Sequence, residues 1–192
     1  MNLKNVIKNV ETIEIKGSLD KEISNITSDS RNIEENGLFV AIIGYVLNGV
    51  KFIPDAIQNG AVAIMVDETV DISTLNVPEN ITLIKVKNIR YQLAIASCNL
   101  YDNPSKKLKL IGVTGTKGKT TSTYMIKSIL EKKGFKVGLI GSIAIYIGDK
   151  KIEEMDRTSA ESYKLQQTLA HMVDENVDIV VLEVSSQAMK LR

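Results

Sequence analysis

The segment that most limits what this chain can fold into runs Gly112-Val113-Thr114-Gly115-Thr116-Lys117-Gly118-Lys119-Thr120-Thr121. It follows Leu108 to Ile111, a stretch apolar apart from Lys109 that reads as a buried strand. It opens a stretch whose Met125, Ile126, Ile129 and Leu130 fall on one helical face. Strand, glycine-bearing turn and helix in this order make a cradle for an anion. Small residues let backbone N–H groups approach it, and the helix N-terminus adds a partial positive charge. Lys119 falls in the first helical turn, where it opposes the helix dipole, so its presence there asks for a compensating anion. Thr120, Thr121, Ser122 and Thr123 are mediocre helix formers, but hydroxyls at that point can hold a magnesium ion beside a bound triphosphate. The plainer alternative is a βα turn carrying a surface lysine; the agreement of strand, loop and helix signals in order and length argues against it.

Composition narrows the rest. A net charge of +1 from 24 basic and 23 acidic residues argues against a nucleic-acid binder that works by neutralising phosphates. The single cysteine, Cys98, excludes an internal disulfide framework and suits a reducing compartment; its apolar neighbours mark it as a small core residue of a helix. Lysines interrupt the apolar pairs at the N-terminus, so no signal-peptide core is present. No run approaches the roughly 18 apolar residues a membrane span needs. A cytoplasmic protein without membrane insertion is expected.

The first hundred residues alternate strands and helices. Residues 3–10 suggest a short amphipathic helix, 12–16 and 23–27 alternating strands, and 38–43 a buried strand closed by Gly44. Phe52, Ile53, Ala56 and Ile57 have helical spacing, with Asn59-Gly60 as a stop. Residues 61–66 and 81–86 read as further strands, and 88–101 as a helix with Leu93, Ala96, Ser97 and Leu100 inward. The polar stretch Asp102-Asn103-Pro104-Ser105-Lys106-Lys107 marks a boundary, which divides the chain into domains over 1–103 and 104–192.

Beyond the glycine loop, Gly134 is placed to cap the helix and 136–140 to supply a second strand. Residues 144–152 suggest a hairpin turning at Gly148-Asp149. Leu165, Leu169, Met172 and Val173 mark a helix, with Thr158-Ser159-Ala160-Glu161 at capping-box spacing before it, and 178–182 a last strand ending in Glu183-Val184-Ser185-Ser186. The fold class is α/β: a small N-terminal α/β domain, then an incomplete P-loop-type domain with a doubly wound, mostly parallel sheet. Three parallel strands and a hairpin are few for such a domain, so a fragment is expected.

The common phosphate-loop pattern G-x-x-x-x-G-K-[ST] needs glycine at 113, where this chain has valine. The form Gly115-Thr116-Lys117-Gly118-Lys119-Thr120-Thr121 instead resembles the ATP loop of the Mur ligases. Further motifs extend that resemblance over essentially the whole chain: Thr27-Ser28-Asp29-Ser30-Arg31, Gly37-Leu38-Phe39-Val40-Ala41 with Gly44, Asn48-Gly49 before Phe52-Ile53, Asn59-Gly60-Ala61, Pro104-Ser105, the 158–162 segment, and Glu183-Val184-Ser185-Ser186. The last favours the MurE type, the UDP-N-acetylmuramyl-tripeptide synthetases of peptidoglycan synthesis, over the neighbouring family that adds the terminal dipeptide.

The resemblance implies an ATP-dependent ligase that activates a carboxylate of UDP-MurNAc-L-Ala-D-Glu as an acyl phosphate and joins it to the amine of L-lysine or meso-diaminopimelate. ATP and Mg2+ are the cofactors it implies, the UDP-MurNAc-dipeptide and a diamino acid the partners, and a monomer the expected state. Residues 1–103 then correspond to the UDP-sugar-binding domain and 104–192 to the first part of the central ATP-binding domain. Carried over by position, Gly115, Thr116, Lys117, Gly118, Lys119, Thr120 and Thr121 cradle the triphosphate. Lys119 reaches its terminal phosphates, and Thr120 and Glu183 hold magnesium. Ser30 and Tyr45 correspond to uridine-side contacts, and Thr158, Ser159 and Ser185 to positions that hold the muramyl peptide. On the residues alone, Ser30 also reads as a turn hydroxyl, Thr158 as an N-cap and Glu183 as a solvated strand-end carboxylate.

The chain departs from the family pattern at Ala160, where proline often stands, and at Gln187, which replaces a histidine. A substrate arginine of the family would fall one position past Arg192. If the natural chain ends at Arg192, the expectation becomes a non-catalytic module that binds nucleotide or UDP-sugar. The sole histidine, His171, reads as a surface or packing residue.

Overall fold

Apolar runs bounded by turn residues become the strands of two parallel-centred sheets. The computed structural model describes residues 1–44, 47–154, 161–186 and 189. It divides into two units, Met1–Leu100 and Tyr101–Arg192.

The first unit contains α1 (Leu3–Val6), β1 (Thr12–Lys16), β2 (Ile26–Thr27), β3 (Gly37–Ala41), α2 (Ile53–Gln58), β4 (Ala61–Asp67), β5 (Thr82–Val86) and α3 (Ile89–Leu100). Its sheet runs β1-β5-β4-β3-β2, parallel from β2 to β5, with β1 antiparallel on the β5 edge. All five residues of β3 are buried, as parallel strands covered on both faces require. On one face Phe39, Ala41, Ile64, Val66 and Leu83 pack with Ile53 and Ala56 of α2. The alternate residues Leu38, Val40, Met65 and Ile84 are fully buried as well, and α3 lies against β4. Polar groups of α3 tie down the N-terminal segment: Gln92 Oε1 accepts from the Glu11 N–H at 3.0 Å, and Asn99 Nδ2 donates to Val6 O at 2.9 Å.

Several expected elements are shorter. The first helix ends at Val6 rather than residue 10, and Asn9 takes a left-handed φ of 63° that begins the turn to β1. The 23–27 run keeps only Ile26–Thr27 as strand, because the N–H groups of Ile23 and Ser24 donate to Met1 O and Asn36 O instead of a ladder. Cys98 is half-buried rather than a core residue.

The second unit contains β6 (Lys109–Val113), α4 (Lys119–Lys132), β7 (Val137–Ile140), β8 (Ala144–Ile147), β9 (Lys150–Glu154), α5 (Ser162–Asp174) and β10 (Ile179–Glu183). Its sheet order is β6-β10-β7-β8-β9, with β6, β10 and β7 parallel and the β8–β9 hairpin antiparallel. Ile147 pairs Lys150 around Gly148-Asp149, the two-residue turn the sequence suggests. Helix α4 ends in a Schellman motif: Gly134, at φ +89°, donates to Glu131 O and Phe135 to Leu130 O. Asn176, at φ 56°, closes α5 the same way, with Val177 donating to Met172 O.

Two expectations are corrected here. Strand β6 is not buried: Lys109 and Leu110 are exposed, because β6 pairs with β10 on one side and forms the sheet edge. The inward stripe of α4 is Thr123, Ile126 and Leu130, packed towards Val137, Leu139 and Val181. Met125 and Ile129, each 61% exposed, lie off that stripe. Their spacing matches a helical face equally well, and only the position of the sheet selects between the two stripes.

Gly49 shows how closely the backbone packs in the first unit. A Cβ there would lie 2.6 Å from Ile42 O and 2.7 Å from Ile42 N, both main-chain atoms that cannot rotate aside. Gly49→Ala is expected to destabilise this unit by about 1–3 kcal/mol, the usual cost of overpacking. A denaturant midpoint equal to that of the parent chain would contradict it.

Candidate functional site

The parallel strands β6, β7 and β10 all deliver their C-terminal ends to one rim of the second sheet, where ligand crevices of open α/β sheets form. The chain leaves β6 at Val113 and re-enters helix at Lys119. Between them Gly115 and Gly118 adopt φ values of +152° and +78°, a region side chains other than glycine's disfavour. Gly118 occupies the N-cap of α4 and supplies no side-chain cap, so the helix start is left to main-chain N–H groups. Thr116 and Lys117 are exposed in this loop, and Thr121 is exposed on the first turn of α4. Lys119 folds back over the loop, its Nζ donating to Gly115 O at 2.9 Å.

Glu183 ends β10 and is only 3% exposed. This excludes the solvated strand-end carboxylate. Thr120 Oγ1, on the first turn of α4, donates to Glu183 Oε2 at 3.2 Å. Ser142, in the loop after β7, gives its N–H to Oε1 at 3.0 Å and its hydroxyl to Oε2 at 2.9 Å. Among the described residues no lysine or arginine forms an ion pair with Glu183, so its partners here are neutral donors. A buried carboxylate in such company suits a bound cation, since buried charges are paired or coordinate metals. Among the described residues no cluster of three or more His, Cys, Asp or Glu forms. The donor set is therefore one carboxylate and two hydroxyls, all oxygen. That suits magnesium, which uses one or two carboxylates together with substrate phosphates.

Ser142 was not among the residues the motifs pointed to. Its signal was present, a Gly-Ser pair directly after an apolar strand, but its relevance depends on β7 ending beside β10. Ser185 is half-buried two residues past Glu183. Tyr45, Thr158, Ser159 and Gln187 lie outside the described residues. Helix α5 has Glu161, not Thr158, at its N-cap. His171 is exposed on α5, as expected.

In the first unit, Ser30 opens a 3₁₀ turn over Ser30–Asn32 and is 7% exposed. The turn is capped by Asp29, whose Oδ1 accepts from Arg31 N–H at 3.0 Å. Asn59 Nδ2 donates to Ser30 O at 2.9 Å and anchors the turn to the end of α2. Asp29, rather than Ser30, thus performs the capping.

Two family models match this chain: "Mur ligase family, catalytic domain" over residues 22–101, and "Mur ligase middle domain" over residues 113–192. The chain belongs to the Mur ligase family. This Mur ligase chain is 52% identical over 191 residues to the UDP-N-acetylmuramoyl-L-alanyl-D-glutamate–2,6-diaminopimelate ligase of Clostridium tetani, with 100% of this chain and 39% of that protein covered. It is 48% identical over 191 residues to the ligase of the same name from Clostridium perfringens, with 100% and 38% covered. It therefore spans less than two-fifths of the length of these relatives. Among solved structures, one described as UDP-N-acetylmuramoyl-L-alanyl-D-glutamate–2,6-diaminopimelate ligase shares the fold at a TM-score of 0.77 and 20% identity, with 100% of this chain and 37% of that one covered. A MurF ligase from Thermotoga maritima in complex with ADP matches at a TM-score of 0.54 and 26% identity, over 84% of this chain and 32% of that one. Among the described residues of this Mur ligase chain, no helix is long and apolar enough to cross a membrane.

Tyr124 lies one turn beyond Thr120 on α4. Its ring stands edge-on to that of Tyr146 on β8, with centroids 6.1 Å apart and planes at 74°. Burial pushes the Tyr124 phenol above its ordinary value of 10.0, and the neighbouring Tyr146 and the Glu183 charge push the same way. The native chain therefore keeps this proton after the unfolded chain has lost it, and stability should fall as pH rises above 10.0 towards the raised native value. Tyr146→Phe is expected to make that fall shallower in denaturant titrations; an unchanged slope would show that Tyr146 does not contribute to the Tyr124 shift.

Proposed function

We propose that this chain provides the UDP-sugar-binding domain and part of the ATP-binding domain of a MurE-type ligase. The reaction is ATP-dependent joining of a diamino acid to UDP-MurNAc-L-Ala-D-Glu. The observation that carries this reading is the meeting of Thr120, on the helix that follows the glycine loop, with the buried Glu183 at the end of β10. The names of the relatives at 52% and 48% identity favour 2,6-diaminopimelate over L-lysine as the added residue.

In this reading the 115–121 segment holds the triphosphate through main-chain N–H groups and the N-terminus of α4. Lys119 exchanges its contact with Gly115 O for the terminal phosphates, and Thr120 and Glu183 hold magnesium. The ion, when bound, offsets charge on the transferring phosphoryl group. The remaining task of the chain is positioning, because phosphoryl transfer asks for little covalent participation from the protein. The substrate carboxylate takes the γ-phosphoryl group of ATP with release of ADP, and the amine of the incoming residue then attacks the acyl phosphate, forming the amide with loss of phosphate and a proton. Ser30 and Tyr45 are proposed on the uridine side, and Thr158, Ser159 and Ser185 on the muramyl-peptide side.

Lys119→Ala, in the protein at its natural length, is expected to lower ligase turnover by about a hundredfold or more, the scale of one lost charge-stabilising contact. Phosphate release that requires both the UDP-muramyl dipeptide and the diamino acid is the assay, and unchanged turnover would remove Lys119 from its role. Binding of nucleotide and UDP-sugar without ligation would instead mark a binding module.

Ser30→Ala is expected to weaken UDP-sugar binding about three- to tenfold, the range of one hydrogen bond, and to leave ADP affinity unchanged. Titration calorimetry with both ligands separates the two. Equal affinity for the sugar nucleotide would place the uridine contact elsewhere.

A further inference from the structure

We propose that Gly141-Ser142 forms a carboxylate cradle that sets the orientation of Glu183, and that Ser142 is a positioning residue of this site. The inference rests on the reading that Glu183 takes a divalent cation. One residue grips both oxygens of the carboxylate: the Ser142 N–H holds Oε1 at 3.0 Å and its hydroxyl holds Oε2 at 2.9 Å. A two-point contact fixes the plane of the carboxylate as well as its position. The loop itself is closed, with Gly141 N–H donating to Ala144 O at 3.3 Å across the turn into β8.

Gly141 makes the close approach possible. A Cβ there would lie 3.0 Å from Oε1. That contact is tighter than carbon and oxygen ordinarily accept, and Glu183 has little freedom to retreat because it is buried and hydrogen-bonded from two elements. The two oxygens are left with different partners. Oε1 faces a main-chain N–H that cannot turn away. Among the described residues Oε2 faces the hydroxyls of Thr120 and Ser142; that of Thr120 can rotate to present a lone pair instead of its proton, while Ser142 keeps its hold. The cradle therefore dedicates Oε1 to the protein, keeps the Ser142 hydroxyl on one side of Oε2, and leaves the remaining lone pair of Oε2, beside the Thr120 hydroxyl, for a hard cation.

The test measures Mn2+ binding to the full chain by the loss of its free electron paramagnetic resonance signal, with ADP present. The variants are Ser142→Ala, Ser142→Thr, Gly141→Ala and Glu183→Gln. Ser142→Ala should weaken Mn2+ binding about tenfold or more, the usual cost of removing a group that orients a metal ligand. Ser142→Thr, which keeps the hydroxyl, should restore most of it. Gly141→Ala should weaken Mn2+ binding with the hydroxyl intact, and so tests the cradle even if Ser142→Ala folds poorly. Metal-free ADP affinity should stay at the parent value in Ser142→Ala, while the thermal midpoint falls because a buried carboxylate loses one donor. Parent-like Mn2+ affinity in both Ser142→Ala and Gly141→Ala overturns the proposal. So does a loss of metal-free ADP affinity in Ser142→Ala without rescue by threonine, which would mark a structural role. Mn2+ binding that survives Glu183→Gln unchanged refutes the cation site itself, and the cradle with it.

Discussion

A single buried carboxylate joins the working parts of the second unit. Glu183 ends β10, the strand between β6 and β7, and its three hydrogen bonds reach the helix that follows β6 and the loop that follows β7. Removing a carboxylate from water is costly unless its oxygens are satisfied. The arrangement that satisfies them therefore constrains where α4 begins and how β7 hands over to β8. The glycine loop lies between the first of these strands and that helix, so its main-chain N–H groups are brought to the same rim as the carboxylate.

The first unit meets a different constraint with the same architecture. Its parallel strands are buried on both faces, which requires apolar side chains in both alternating sets, and β3 and β4 supply them. The polar work is done at the margins, where Asp29 caps the turn that contains Ser30 and Asn59 anchors it. A turn held from two sides presents its residues in one geometry. Close backbone approach at Gly49 serves the same end by fixing the chain where β3 leads into α2.

Much of the candidate site was legible in the sequence because its parts carry local signatures. Gly115 and Gly118 announce a turn with left-handed backbone, Lys119 is conspicuous at a helix start, and Glu183 stands where an apolar run stops. Ser142 was not legible. A serine after a strand is commonplace, and its meaning arises only when Ser142 and Glu183, 41 residues apart in sequence, are brought together at the ends of adjacent strands. Helix α4 shows the complementary ambiguity. Its sequence offers two apolar stripes, and the one with Met125 and Ile129 proved to lie away from the sheet.

By itself the sequence determined the α/β class, the order of strands and helices and the glycine loop, since each follows from short-range periodicity, turn chemistry and backbone freedom. The tertiary structure alone decided which face of α4 is covered, that β6 lies at a sheet edge, that β10 inserts between β6 and β7, and that Ser142 meets Glu183. These depend on the order of strands across the sheet. That order is set by packing between segments distant in the chain, which no local pattern encodes.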